Sequence, residues 1–362
     1  MICGRLQPPR GLSVLLMLAL SLPRVAVAVL FYSTADPAYN TNAPAGVLTN
    51  SGWQFQGKWG LFLGTVIAPK YFITAAHVGG IAGDFFHFRG VDYSAIALFD
   101  DPNSDLRLWR ICGAFPGYAD LYSSSNETGQ AVVVFGRGTQ RGEEVGVPGA
   151  VFTSLKGWQW GPQDGIQRWG TNLVSSINSG SSAGDLLKCN FDASGGPNEA
   201  HLSVGDSGGG VFIKEGAVWK LAGINYAVDG PYNTNASGAG FNAAIFDEGG
   251  LYKQLAGNWV LTPDLPQDLP GGFYATRVSA HLTWINSVVQ AVQASDPPPG
   301  LFSSTIIGGP YHKNTDAVAD PNTKTVTLPI PPSTRFYRLL GCDPTRISSI
   351  NTNGTMLIIA YQ

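Results

Sequence analysis

"HLSVGDSGGGVFI", residues 201–213, sets one serine between an acid and three glycines and then runs into Val211-Phe212-Ile213. The apolar triplet reads as a buried strand. The glycines ahead of it call for a tight backbone turn that side chains would obstruct. A hydroxyl held on such a turn, beside backbone N–H groups, suits a nucleophile with an oxyanion hole. A Gly-rich hairpin would use the same residues, so the rest of the chain has to decide.

The chain has 362 residues, of which only 13% are charged, and 46 are glycine. Short apolar segments separated by Gly, Asn, Ser and Pro dominate, which points to an all-β body. The net charge is −3 and there is no basic run, which argues against nucleic acid or an anionic membrane as a partner. At the start, Arg5 and Arg10 precede the apolar run Leu12–Leu22, followed by the small-residue site Ala26-Val27-Ala28. That layout predicts a secretory signal peptide over residues 1–28, cleaved before Val29, and a secreted or periplasmic product. No second long apolar stretch follows, so no membrane span is expected after its removal. Cys3 lies in the leader, and Cys112, Cys189 and Cys342 allow at most one internal bridge with one thiol left over.

Strands are expected in "KWGLFLGTVIA", "YFITAAHV", "DFFHFRG", "DLRLWRI" and "AVVVFGRG", and residues 175–200 read as a polar Gly/Ser-rich loop region. Near the end, Val278, Leu282, Ile285, Val289 and Val292 recur at helical spacing, with Ser279 as the N-cap. Ser295–Gly300 contains three prolines and marks a linker. Residues 301–362 then read as a small β module, with a hairpin signal at Asn353-Gly354. No internal repeat is visible in the sequence.

A serine hydroxyl needs a base, and imidazole titrates near neutrality. Among the five histidines, His281 falls in the helix, His312 in the tail, and His87 alternates with Phe86 and Phe88. His77 ends an apolar strand after small residues and meets Gly79-Gly80, where its ring can project. The base needs an orienting carboxylate. Asp105 enters a mostly apolar strand, a costly place for an unpaired acid. Asp100 and Asp101, in "LFDDPN", read as solvated turn residues.

Together "TVIAPKYFITAAHV", "SDLRLW", "VGDSGGGVFI" and "GGFYATRVSAHLTWINSVV", in that order, resemble the trypsin/chymotrypsin-like serine endopeptidases over roughly residues 29–294. The resemblance implies two six-stranded antiparallel β-barrels with a C-terminal helix and a site between the barrels. It implies a triad of Ser207, His77 and Asp105, an oxyanion hole from the Gly205 and Ser207 N–H groups, a protein or peptide substrate, and neither metal nor organic cofactor. The family's common disulfides beside these motifs are missing, since Val78 and Ser203 stand there. This fits an exported bacterial-type member.

At the base of the implied specificity pocket stands His201, and its wall is implied to include Tyr226, Ala227 and Val228. The absence of an acid at 201 argues against cleavage after Lys or Arg. Val228 in place of a glycine predicts a narrowed pocket for small or aliphatic side chains. A protonated His201 would instead favour an acidic one, and a structural His201 capped by a carbonyl is the third alternative. Family members pair a new N-terminal amine with the acid before the nucleophile, here Asp206. Val29 is one source of that amine, and internal partners for Asp206 are the other solution. Residues 229–271 read as an insertion beside the cleft. The competing function is a non-catalytic binding or surface protein on the same scaffold, contacting a partner through the C-terminal module. An esterase is a third reading, set against by the strand that follows Ser207.

Overall fold

The computed structural model describes residues 29–148, 153–291, 297–342 and 345–362. The expected signal peptide, and Val292 of the helix, lie outside these residues.

Twelve strands form two closed antiparallel barrels. The first contains β1 (Gln56–Trp59), β2 (Phe62–Ala68), β3 (Tyr71–Ala75), β4 (Phe85–Phe88), β5 (Val91–Asp100) and β6 (Leu106–Ile111). The second contains β7 (Ala131–Gly136), β8 (Arg168–Ser181), β9 (Gly184–Asn190), β10 (Gly210–Glu215), β11 (Val218–Val228) and β12 (Gly272–Arg277). Around the first, neighbours run β1-β2-β3-β6-β5-β4, and around the second β7-β8-β9-β12-β11-β10. These are the same circular order, so the architecture is duplicated although the sequence shows no repeat. Closure leaves no open sheet edge in either barrel.

The apolar triplet of the opening stretch explains the join between them. Val211 and Ile213 pack inside the second barrel with Val132, Val134, Leu187 and Phe273. Phe212 points the other way, into a cluster that mixes Leu63, Ile73 and Leu108 of the first barrel with Phe135 and Ile224 of the second. Strand alternation therefore buries both faces, which is why the run is continuously apolar. Gln56 adds a polar tie, accepting the Gly210 N–H at 3.2 Å while donating to Thr65 Oγ1 at 2.9 Å.

Residues 175–190, expected as loop, belong instead to the β8–β9 hairpin. Ser175, Asn178, Ser179, Ser181 and Ser182 face outward, while Val174, Leu187 and Cys189 point into the barrel. Polar composition thus masked a half-buried alternation. The C-terminal helix is also shorter than its periodicity suggested. Val278–His281 is a 3₁₀ turn and α1 covers Leu282–Gln290, with Val278 and Ile285 buried in the inter-barrel cluster. Ser279 does not cap it: its hydroxyl bonds Glu127, which also takes Arg277 at 2.8 Å. No helix among the described residues is long and apolar enough to cross a membrane.

Within 229–271, Tyr232–Asn233, Tyr252–Leu255 and Asn258–Leu261 form a small sheet. Ala243–Ile245 pairs with Thr153–Gln163, the second arm of a hairpin begun by Thr139–Pro148. The insertion is thus stitched to that hairpin, and buried Lys156 bonds both Asp247 and Asp264 across the join.

After the helix come a three-stranded sheet (Gly300–Ser304, His312–Lys313, Phe336–Leu340) and a four-stranded one (Val318–Asp320, Thr325–Pro329, Ile347–Asn353, Met356–Tyr361). They share a small core of Leu301, Val326, Leu328, Leu339 and Ile359. A Cys112–Cys342 disulfide joins this module to the end of β6, leaving Cys189 free and buried. The bridge spans 230 residues of sequence. Closing so long a loop constrains the unfolded chain strongly, so Cys342→Ser should cost about 2–4 kcal/mol. Urea unfolding of wild type with and without reductant, against Cys342→Ser, checks this. Superimposable curves would contradict it.

Candidate active site

His77 is presented by a change of backbone. β3 ends at Ala75, Ala76–Val78 makes one 3₁₀ turn, and Gly79 closes it with φ +74°. Ala75 and Ala76 let the turn lie flat against the start of β6, where the Ala76 N–H reaches the Asp105 carbonyl at 2.6 Å. The imidazole then stands out, with its side chain 40% exposed.

Asp105 grips this histidine twice. Its Oδ2 lies 2.5 Å from His77 Nδ1, and its Oδ1 accepts the His77 backbone N–H at 3.0 Å. A carboxylate accepting from Nδ1 fixes the tautomer in which Nε2 is free to take a proton. Nε2 lies 2.9 Å from Ser207 Oγ. The first barrel therefore supplies the imidazole and the carboxylate, and the second supplies the hydroxyl.

The turn bearing Ser207 is pinned from several sides. Asn225 of β11 accepts the Gly208 N–H at 3.0 Å, and its Nδ2 donates to the carbonyls of Phe135 and Asp206. The glycines are there because the backbone approaches its neighbours too closely for a side chain. A Cβ at 209 would lie 2.0 Å from the Phe135 carbonyl oxygen. At 205, φ is +95° and a Cβ would lie 2.9 Å from Gly138 Cα and 2.2 Å from Gln163 Nε2. Among the described residues, neither the Gly205 nor the Ser207 N–H has an acceptor, which leaves both available to a developing oxyanion.

Asp206 is held from within. Gly138 N–H reaches Oδ1 at 2.7 Å, and the Ser203 N–H and hydroxyl reach Oδ2 at 2.8 and 3.0 Å. Three internal donors satisfy the carboxyl, so the expected pairing with a Val29 amine is not needed to hold it. The segment after Val29 does something else: Leu30 pairs with His201 and Phe31 with Ala200. Burial pushes Asp206 up to about 6, despite the Ser203 and Gly138 hydrogen bonds that favour its ionised form.

His201 is buried and held by its neighbours. It is 1% exposed, its Nδ1 lies 2.7 Å from the Leu202 carbonyl, and its ring meets Phe191 and Phe273 edge-on. Burial lowers it to about 4, so it is neutral at neutral pH and gives no cation to attract an acidic side chain. Tyr226 sits with its ring centroid 5.8 Å from that of His77. Ala227 and Val228 follow on β11, paired with Tyr274 and Phe273 of β12.

Several neighbours were not foreseen. Ser203 and Asn225 hold the turn that carries Ser207. Asp229 accepts from Tyr274 and from the Gly272 N–H, and pairs with Lys253 at 3.0 Å and Lys188 at 3.6 Å. Burial raises Asp229, and the two lysines more than offset this, leaving it below the usual range. An acid between the last residue of a strand and Gly230-Pro231 was the available signal. Gln163, beside Gly205, ends the hairpin to which the insertion is stitched.

Beside β8, buried Glu199 accepts from Asn172 and from the Asp192 N–H, both at 3.0 Å. Burial pushes it up to about 8. Its folded value lies above the unfolded one, so its contribution to stability is complete below pH 4.5 and lost as pH rises through about 8. The whole swing is on the order of 5 kcal/mol. Thermal midpoints should therefore fall between pH 5 and 8, and Glu199→Gln, which keeps the accepting oxygen, should flatten that fall. An unchanged slope would show that this carboxyl ionises freely.

Compared with protein-family models and with curated proteins, the chain matches none.

Proposed function

We propose that the chain is a secreted serine endopeptidase of the trypsin/chymotrypsin-like kind. The observation that carries this reading is the hydrogen-bonded line Asp105–His77–Ser207, 2.5 and 2.9 Å per link, assembled across two barrels from positions up to 130 residues apart. In the proposed reaction Ser207 Oγ attacks the scissile carbonyl as His77 Nε2 takes its proton. Asp105 stabilises the imidazolium, and the N–H groups of Gly205 and Ser207 receive the oxyanion. His77 passes its proton to the departing amine, leaving an acyl group on Ser207. Water, deprotonated by His77, then hydrolyses it.

For the residue before the scissile bond, Val228 and Tyr226 favour a small or aliphatic side chain, and the neutral His201 weighs against an acidic one. An esterase-type elbow is disfavoured because Ser207 leads through its turn into β10 rather than into a helix.

A fluorophosphonate probe tests the reading. It should label wild type at Ser207, located by peptide mass spectrometry, and fail to label folded Ser207→Ala or His77→Ala. A folded wild type that takes no label would favour the binding-protein alternative.

A further inference from the structure

Asp101 lies in "LFDDPN", where a solvated turn residue is expected. It is instead one of the most deeply buried acids in the molecule, its side chain 1% exposed. Oδ1 accepts the Asn103 N–H at 3.1 Å and Oδ2 accepts the Ser104 hydroxyl at 2.6 Å. The Asp101 N–H also reaches the Leu106 carbonyl at 2.9 Å. Asp101 therefore shapes the short loop between β5 and β6, whose last residue is Asp105.

A partner from far along the chain completes this loop. His281, at the start of the C-terminal helix, places Nδ1 2.6 Å from Asp101 Oδ2, with its own side chain 10% exposed. Its Nε2 is buried and has no partner among the described residues. The tip of the β8–β9 hairpin closes the third side. A Cβ at Gly184 would lie 2.7 Å from Ser104 Cβ and 2.8 Å from His281 Nε2, and Gly184 has φ +85°. One residue earlier, the Ala183 carbonyl faces the Asp105 N–H at 3.4 Å. Loop, helix start and hairpin tip thus converge directly behind the acid that orients His77.

We propose that the Asp101–His281 pair is a positioning device: it locks the loop that bears Asp105 onto the second barrel and so sets the His77–Asp105 geometry. The inference rests on the proteolytic reading for its kinetic consequence but not for its structural one. A hydrogen bond confined to a buried loop would serve stability alone. This one joins the first barrel's loop to a helix that packs across both barrels, four residues from Asp105. A displacement there moves the carboxylate relative to Nδ1, and small misplacements of a catalytic group are costly in rate.

The test compares His281→Phe, which keeps a ring and removes the donor, with His281→Asn, whose amide can donate from near the Nδ1 position. His281→Phe should lower kcat roughly 10- to 100-fold on a peptide amide, with KM nearly unchanged, and His281→Asn should recover most of the loss. The downfield proton resonance of His77 Nδ1–H should shift or broaden in the Phe variant and return in the Asn variant, a readout that needs no turnover. A folded Phe variant with wild-type kcat and an unmoved resonance would overturn the inference, as would a change in KM alone. If the Phe variant fails to fold, Gly184→Ala, which pushes the hairpin off His281, takes its place with the same two readouts. Should wild type neither turn over substrate nor accept the fluorophosphonate, the proteolytic reading falls, and the resonance still decides on the pair.

Discussion

Ser207→Ala is expected to lower turnover of a peptide amide by roughly 10⁵- to 10⁶-fold, with His77→Ala costing about as much. The double variant should be scarcely worse than either single one, because hydroxyl and imidazole act as one unit across the 2.9 Å contact between Oγ and Nε2. Neither change should unfold the protein. Ser207 is half-buried on a turn whose shape is set by Asn225, Ser203 and the glycines, and the His77 ring is partly exposed. The check is kcat/KM for both singles and the double at fixed pH, with unfolding midpoints alongside. If His77→Ala kept most of the activity, or if the two losses multiplied, the proposed transfer of the Ser207 proton to His77 would be wrong.

Gly205→Ala should cost roughly 10²- to 10³-fold in kcat, with a much smaller change in KM. The added methyl meets Gly138 Cα at 2.9 Å, where backbone cannot yield cheaply, and Gln163 Nε2 at 2.2 Å, where a flexible tip can. It must also adopt a φ of +95°, which an L side chain resists. The turn will rotate, taking the Gly205 N–H away from the place where negative charge develops. Gln163→Ala in the same background separates the two contacts. If it restored the rate, the glutamine tip would be the obstacle; if it did not, the backbone at Gly138 would be. A Gly205→Ala enzyme with wild-type kcat would remove this N–H from the proposed oxyanion hole.

Much of the architecture was legible because it is written in local patterns. The apolar triplet at 211–213 demanded a strand with two buried faces, and the small residues before His77 marked a place where a ring could project. Asp105 stood out because an acid entering an apolar strand needs a partner, and the structure supplies His77. Counting allowed at most one disulfide with one thiol to spare, and only the structure gives the Cys112–Cys342 pairing. What stayed hidden depends on contacts distant in sequence. Asp101 and Asp100 are adjacent and chemically alike, yet Asp100 is exposed and pairs with Arg107, while Asp101 is buried against a histidine 180 positions later. Nothing within "LFDDPN" distinguishes them. The β8–β9 hairpin was hidden because its outward face is as polar as a loop. The burial of His201 was hidden too, because the rings that enclose it, Phe191 and Phe273, lie elsewhere in the sequence. The duplication of the barrels left no trace in sequence because strand order, not residue identity, is what the two halves share.

The Cys112–Cys342 bridge gives the chain two covalent routes from barrels to module: one along the backbone past residues 295–299, the other through sulfur. A cut anywhere on the first route opens the polypeptide but releases nothing. Under the proposed function of an exported peptidase, whose surroundings would contain other peptidases and further copies of itself, this changes what the exposed Pro297-Pro298 pair means. Nicking there is not shedding: the appended sheets stay beside the first barrel as a separate chain, and only a reducing environment lets them go.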